Sequence, residues 1–130
     1  MIFEDAGMKL SFENQTAIIT GAASGLGLAM AKSLSSYGVR LALIDKNTDA
    51  LVSLKGKLNG VPYAVDITRE EEVKRVIEKI GNEYGRIDIL INSAGITGVT
   101  NIKSHETATD NVRQVFDVNF MGSYYTSKYV

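Results

Sequence analysis

The chain has 130 residues, 45% apolar and 22% charged, with a formal net charge of −1. That is enough for one domain around one core, and too apolar for disorder. Scattered lysines and arginines offer no basic face to nucleic acid or to an anionic membrane, the absence of cysteine excludes disulfides and thiolate metal sites, and the single histidine, His105, leaves no imidazole cluster for a metal.

Residues 1–9 read as an N-terminal extension, carry acidic residues and have no signal-peptide core, so a domain over 10–130 and a cytoplasmic location are expected. No apolar run is long enough to cross a membrane. TAIIT (16–20) is a short β-branched run closed by glycine, the pattern of a buried strand. From Leu26 the apolar positions Leu26, Ala29, Met30 and Leu34 recur at helical spacing until Gly38 stops them. VRLALID (39–45) is a second strand, and Leu51, Leu54 and Leu58 place a second helix over 48–58. VPYAVDI (61–67) is a third strand, with Pro62 near its start where a missing donor is tolerated.

Thr68-Arg69-Glu70-Glu71 has the form of a capping box and predicts a helix start. Val73, Val76, Ile77, Ile80 and Tyr84 follow as one apolar stripe, and Gly85 ends it. RIDILIN (86–92) is a fourth strand, residues 93–106 are loop-like, and a last helix runs from Thr109 to the end. Strands alternating with helices imply right-handed crossovers, hence an α/β, doubly wound parallel sheet covered on both faces.

In such a sheet ligands bind beyond the carboxyl ends of the strands. Gly21, Gly25 and Gly27 lie in the first strand-to-helix turn, where glycine lets a ligand approach the main chain and the helix directs its free amides at an anion. Asp45 closes the second strand, at about the spacing expected of a carboxylate that grips a ribose. Asp66 ends the third, and Asn92-Ser93-Ala94-Gly95 ends the fourth. Any one of these could be only a turn former or a cap; all four on one sheet edge point to a ligand. No Lys-Ser/Thr follows the last glycine, which disfavours a nucleotide-hydrolysing P-loop.

The run Thr20-Gly21-Ala22-Ala23-Ser24-Gly25-Leu26-Gly27 resembles the cofactor motif of the short-chain dehydrogenase/reductase family. The resemblance covers nearly the whole chain from about residue 10 and implies a Rossmann-like sheet whose first four strands lie in the order 3-2-1-4, with the fourth strand at an edge of this piece. It implies that Gly21, Ser24, Gly25, Leu26 and Gly27 cradle the dinucleotide. Asp45 matches the acidic residue at the second strand, and Asp66, with Ile67 beside it, the aspartate near the adenine. Asn92, Ala94 and Gly95 match the segment close to ribose and nicotinamide; Ser93 departs from the usual second asparagine. Asn119 is similar to the active-site asparagine.

Asp45 would bind both ribose hydroxyls and repel a 2′-phosphate, and Ser24 stands where NADP-preferring relatives place a basic residue, so NAD is expected over NADP. By the same resemblance the partner is a small alcohol or ketone, no metal is involved, and the full-length protein is a homo-oligomer. The serine, tyrosine and lysine of the family's chemistry are expected beyond Val130, which makes this chain the cofactor half; a non-catalytic NAD-binding short form is the alternative. Tyr124 and Lys128 have the family's catalytic spacing. At about 100° per residue, however, they project roughly 140° and 180° from Asn119, which falls with Val112, Val115, Phe116 and Ser123.

Overall fold

The computed structural model describes residues 11–130, so the expected extension over 1–9 and the start of the domain lie outside the described residues. Strand β1 (Thr16–Thr20) leads into helix α1 (Gly25–Ser36), β2 (Arg40–Asp45) into α2 (Thr48–Leu54), and β3 (Gly60–Ala64) into α3 (Glu70–Tyr84). Strand β4 (Ile89–Asn92) is followed by a loop with one 3₁₀ turn (Ser104–Glu106). Then come α4 (Thr109–Phe116), a π-helical turn (Asp117–Gly122) and α5 (Ser123–Tyr129). All pairings are parallel, in the order β3-β2-β1-β4.

The alternation of each strand assigns its residues to two cores. Ala17, Ile19, Leu41 and Leu43 face one way and bury Ala31, Leu51 and Leu54 from α1 and α2. Ile18, Ala42 and Ile44 face the other way and bury Val73, Val76, Ile77 and Ile80 of α3. β1 is covered on both faces and flanked on both edges, which is why TAIIT has no polar alternation. Each fully buried isoleucine of this kind contributes about 1.5–3 kcal/mol. Pro62 sits on the edge strand β3, opposite Leu43.

The structure corrects several expected bounds. β3 stops at Ala64: the amide of Val65 donates to the Asp45 carbonyl at 3.0 Å, and beyond that point β2 has no partner to offer. β4 begins at Ile89, because Asp88 turns its carboxylate to the amide of Thr16 at 2.9 Å and to Arg86, fixing the start of β4 to the start of β1. α2 ends at Leu54, where Lys55 leaves helical torsions.

The capping box does not form. α3 starts at Glu70 with Arg69 as its N-cap and no side-chain cap, while the Thr68 hydroxyl donates to Asp66 Oδ1 at 2.7 Å. The amide of Thr68 also donates to Asp66 Oδ1, at 3.0 Å, so Thr68 closes a turn on Asp66 one residue before the N-cap and does not cap the helix itself. The last helix is not continuous either, since the π-helical turn interrupts it at Asn119.

Candidate functional site

At the carboxyl ends of the four strands lies a cavity of about 720 Å³, lined on another side by α4 and the start of the π-helical turn. Each glycine of the first loop has a different reason to be there. Gly21 has φ +64°, and a Cβ on it would lie 2.8 Å from Ala94 Cα and N, so the loop rests directly on the end of β4. Gly27 lets α1 pass against that loop: its Cβ would lie 2.8 Å from the Gly21 carbonyl carbon and closer still to the oxygen. Gly25 has φ +54° and would meet no atom within 4 Å. The space above it is open to a ligand.

α1 begins without a side-chain cap and without an acidic residue in its first turn. Its first amides and the positive end of its dipole are therefore left for an anion. Thr20, buried at the end of β1, accepts the amides of Ser93 and Ala94, both at 3.2 Å, and sets the loop after β4 in place. Spacing in the sequence does not single out this hydroxyl; its position as the last residue of a buried strand, directly before Gly21, is the available signal.

Gly21, Ser24, Gly25, Leu26, Asp45, Asp66, Ile67, Ala94 and Gly95 all line the cavity. Lys46, beside Asp45, lines it too. Asp66 is pushed up by partial burial, but the hydroxyl and amide of Thr68 outweigh that and hold its carboxyl below the ordinary 3.8. It therefore faces the cavity as a carboxylate at neutral pH.

Three expected site residues stand outside the cavity wall. Gly27 acts through packing, as described. Asn92 accepts the Thr126 hydroxyl at 2.6 Å and donates to Ser127 Oγ at 3.2 Å, tying β4 to α5. Asn119 makes a two-sided clamp on one residue of the loop after β4: it accepts the Ile96 amide at 2.8 Å and donates to the Ile96 carbonyl at 2.9 Å. Its side chain holds that loop in place. Ser123 does lie one turn on, its hydroxyl donating to the Asn119 carbonyl at 3.3 Å, and Val115 faces the same loop through Gly98. Val112 and Phe116 are half-exposed, as are Phe120 and Tyr124, and Phe116 stacks on Phe120 at 4.9 Å.

The expectation that Tyr124 and Lys128 stay apart from the site agrees with their surroundings. Neither lines the cavity. Lys128 Nζ lies 2.8 Å from Glu70 Oε1, and this hydrogen bond holds the ammonium above its ordinary range. The angles worked at regular helical pitch do not carry through the π-helical turn, however. The sequence also leaves unannounced the wall made by α4 and the start of the π-helical turn, Asp110, Arg113, Gln114, Asp117 and Val118. Their spacing of three and four is legible as a helix face; what it faces is not.

An all-parallel sheet in this order, with a glycine loop, two carboxylates and a helix N-terminus converging at its carboxyl edge, is a Rossmann-like α/β architecture. The sequence matches the family described as short chain dehydrogenase over residues 15–130, and the chain belongs to that family of oxidoreductases. It is 31% identical over 124 residues to zerumbone synthase of Zingiber zerumbet, covering 92% of this chain and 46% of that protein. It is 39% identical over 95 residues to a 3-oxoacyl-[acyl-carrier-protein] reductase of Thermotoga maritima, covering 68% of this chain and 38% of that one. Among solved structures, a 3-ketoacyl-(acyl-carrier-protein) reductase from Brucella melitensis complexed with NADH superposes with a TM-score of 0.86 at 29% identity, covering 91% of this chain and 49% of that one. An NAD⁺-bound xylitol dehydrogenase gives 0.87 at 28%, covering 93% and 48%. The chain thus spans about half the length of the relatives it matches.

Proposed function

We propose that this chain is the NAD(H)-holding half of a short-chain oxidoreductase that interconverts a small alcohol and the corresponding ketone. The observation that carries the reading is the open cradle over Gly25, at the uncapped start of α1, with the Asp45 carboxylate across the same cavity. A dinucleotide fits that donor set. The first amides of α1 would hold the diphosphate, Asp45 the adenosine ribose, Asp66 and Ile67 the adenine, and Ala94 and Gly95 the nicotinamide side. Bound there, the nicotinamide supplies hydride transfer.

The chain's own residues bind and orient. Thr20 and Asn119 fix the two ends of the loop that carries Ser93–Ile96, and Gly21 lets that loop and the glycine loop touch. That the NAD- and NADH-bound structures superpose on this one supports the cofactor class. The half-exposure of Val112, Phe116, Phe120 and Tyr124 supports homo-oligomerisation of the full-length protein. Among the described residues no helix is long and apolar enough to cross a membrane; the cytoplasm remains the location we assign.

Titration of the 130-residue chain with NAD and NADP by calorimetry tests the reading. NAD is expected to bind at least about ten-fold tighter, the equivalent of one unfavourable charge contact at Asp45. Tighter binding of NADP would remove the assignment of Asp45, and binding of neither would remove the assignment of the cavity.

A further inference from the structure

As a ribose acceptor, Asp45 would need only to face the cavity. Its carboxylate is engaged on the protein as well. Oδ2 accepts the Ala23 amide at 3.0 Å, and Oδ1 accepts the Asn47 amide at 3.0 Å. One residue earlier in the glycine loop, the amide of Ala22 donates to the Ile44 carbonyl at 3.1 Å. Two consecutive amides of the loop therefore hang on two consecutive residues of β2, one through a carbonyl and one through the carboxylate.

Directly after Ala23 comes the seat itself: Ser24 in extended backbone, then Gly25 with φ +54°, then the first turn of α1. The direction of those amides depends on where Ala23 is held. On the other side, the Asn47 bond sets the start of α2, for which Asn47 is the cap, accepting the Ala50 amide at 3.0 Å. One carboxylate thus ties the loop after β1 to the loop after β2.

We infer that Asp45 is a positioning residue for the diphosphate seat as well as the ribose acceptor. Losing its side chain weakens every ligand that carries a diphosphate, with or without a ribose. This rests on the cofactor reading of the cavity. Its sign separates it from simple electrostatics, because removing a negative charge near an anion should strengthen binding. It also sets a limit on cofactor switching: a small neutral residue at 45 removes repulsion toward a 2′-phosphate but loosens the seat that NAD and NADP share, so NADP gains no affinity.

The test uses the 130-residue chain, with inorganic pyrophosphate and ADP-ribose titrated against wild type, Asp45→Ala and Asp45→Asn. Binding and amide exchange at Ala23, Ser24, Gly25 and Leu26 are followed by NMR. Asp45→Ala is expected to weaken pyrophosphate about ten-fold, the loss of one charge-assisted hydrogen bond, and to speed exchange at Ala23. Asp45→Asn keeps one acceptor oxygen for Ala23 and is expected to restore pyrophosphate binding to within about three-fold of wild type. Asp45→Ser, too short to reach Ala23, replaces Asp45→Ala if that variant does not fold.

Pyrophosphate binding by Asp45→Ala equal to or tighter than wild type overturns the inference and leaves the cofactor reading intact, provided ADP-ribose still binds wild type. Wild type binding ADP-ribose but not pyrophosphate overturns it as well, since the seat then contributes no affinity of its own. Wild type binding neither removes the cofactor reading and the inference with it.

Discussion

Replacing Gly27 by alanine should cost stability, whereas the same replacement at Gly25 should cost ligand binding. At Gly27 the new methyl would stand 2.8 Å from the Gly21 carbonyl carbon and 3.3 Å from the Ala22 amide nitrogen. Both are backbone, so neither can swing aside as a side chain would. Overpacking costs about 1–3 kcal/mol, and the rigid walls place this case at the upper end. Alanine regains about 1 kcal/mol of helix propensity over glycine, which leaves a net loss of about 2 kcal/mol.

Against a total stability of about 5–15 kcal/mol that is a large share, and it corresponds to a fall in Tm of about 6–10 °C for a chain of this size. At Gly25 no atom lies within 4 Å, and the cost is only the left-handed torsion at φ +54°, about 1 kcal/mol. The methyl there projects into the open cradle. Urea unfolding followed by far-UV circular dichroism gives both stabilities, and ADP-ribose titration gives both affinities. Gly25→Ala should lose about ten-fold or more in binding while remaining the more stable variant. A Gly27→Ala midpoint within about 0.5 kcal/mol of wild type, or Gly25→Ala as the less stable of the two, would refute the division of labour between these glycines.

Other outcomes are expected from the same geometry. Removing the Asn119 clamp by Asn119→Ala should cost about 1–2 kcal/mol and speed amide exchange at Ile96, with Asn119→Asp intermediate because it keeps only the acceptor. The carboxyl of Asp66 is held below its ordinary 3.8, so its contribution is present above that value and is lost as pH falls through the lower, folded value. Thr68→Val should raise the Asp66 pKa, read by NMR titration, and Asp66→Asn should flatten the loss of stability as pH falls below 3.8; an unchanged Asp66 titration in Thr68→Val would assign the depression to other groups. β4 is an edge strand and Phe116 and Phe120 are half-exposed, so the chain is expected to self-associate in size-exclusion chromatography; Phe116→Ser with Phe120→Ser should reduce association without moving the urea midpoint.

The alternation of strands and helices was legible because each apolar run is a physical requirement of its layer. TAIIT keeps Ala17, Ile18 and Ile19 apolar because it is covered on both faces, and its two threonines stand at the ends of the strand. The same logic overextended β3. Val65 and Ile67 continue the apolar run, but Ile67 is buried for another reason, packing where a Cβ on Gly122 would meet its side chain. Hydropathy reports burial and does not report which amides pair.

The capping box failed because Thr68 is held in a turn on Asp66, which leaves Arg69 and not Thr68 at the N-cap. At the site, the residues that line the cavity from strand ends were readable from spacing. The tasks of Asn92 and Asn119 were not, since their partners, Thr126 and Ile96, are remote in sequence and specified only by the fold. Nor does any local pattern announce that a helix will widen by one residue at Asn119.

That widened turn resets the phase of the chain. Before it, α4 presents Asp110, Arg113 and Gln114 to the cavity; after it, α5 presents Thr126 to Asn92, and Lys128 and Tyr129 to Glu70 of α3. In a regular helix each position follows its predecessor by a fixed rotation, and these two sets of partners would constrain one another. The extra residue makes them independent, so the cavity face and the docking face can each keep their own sequence pattern. Deleting a single residue between 117 and 122 would restore regular pitch and leave α5 in its present orientation against α3, because a π turn absorbs one extra residue while the helix on either side keeps its course. A chain shortened by one residue there would keep the Thr126–Asn92 bond, whereas removing one full turn would draw α5 about 5.4 Å along its axis and lose it with every side chain of α5 still present.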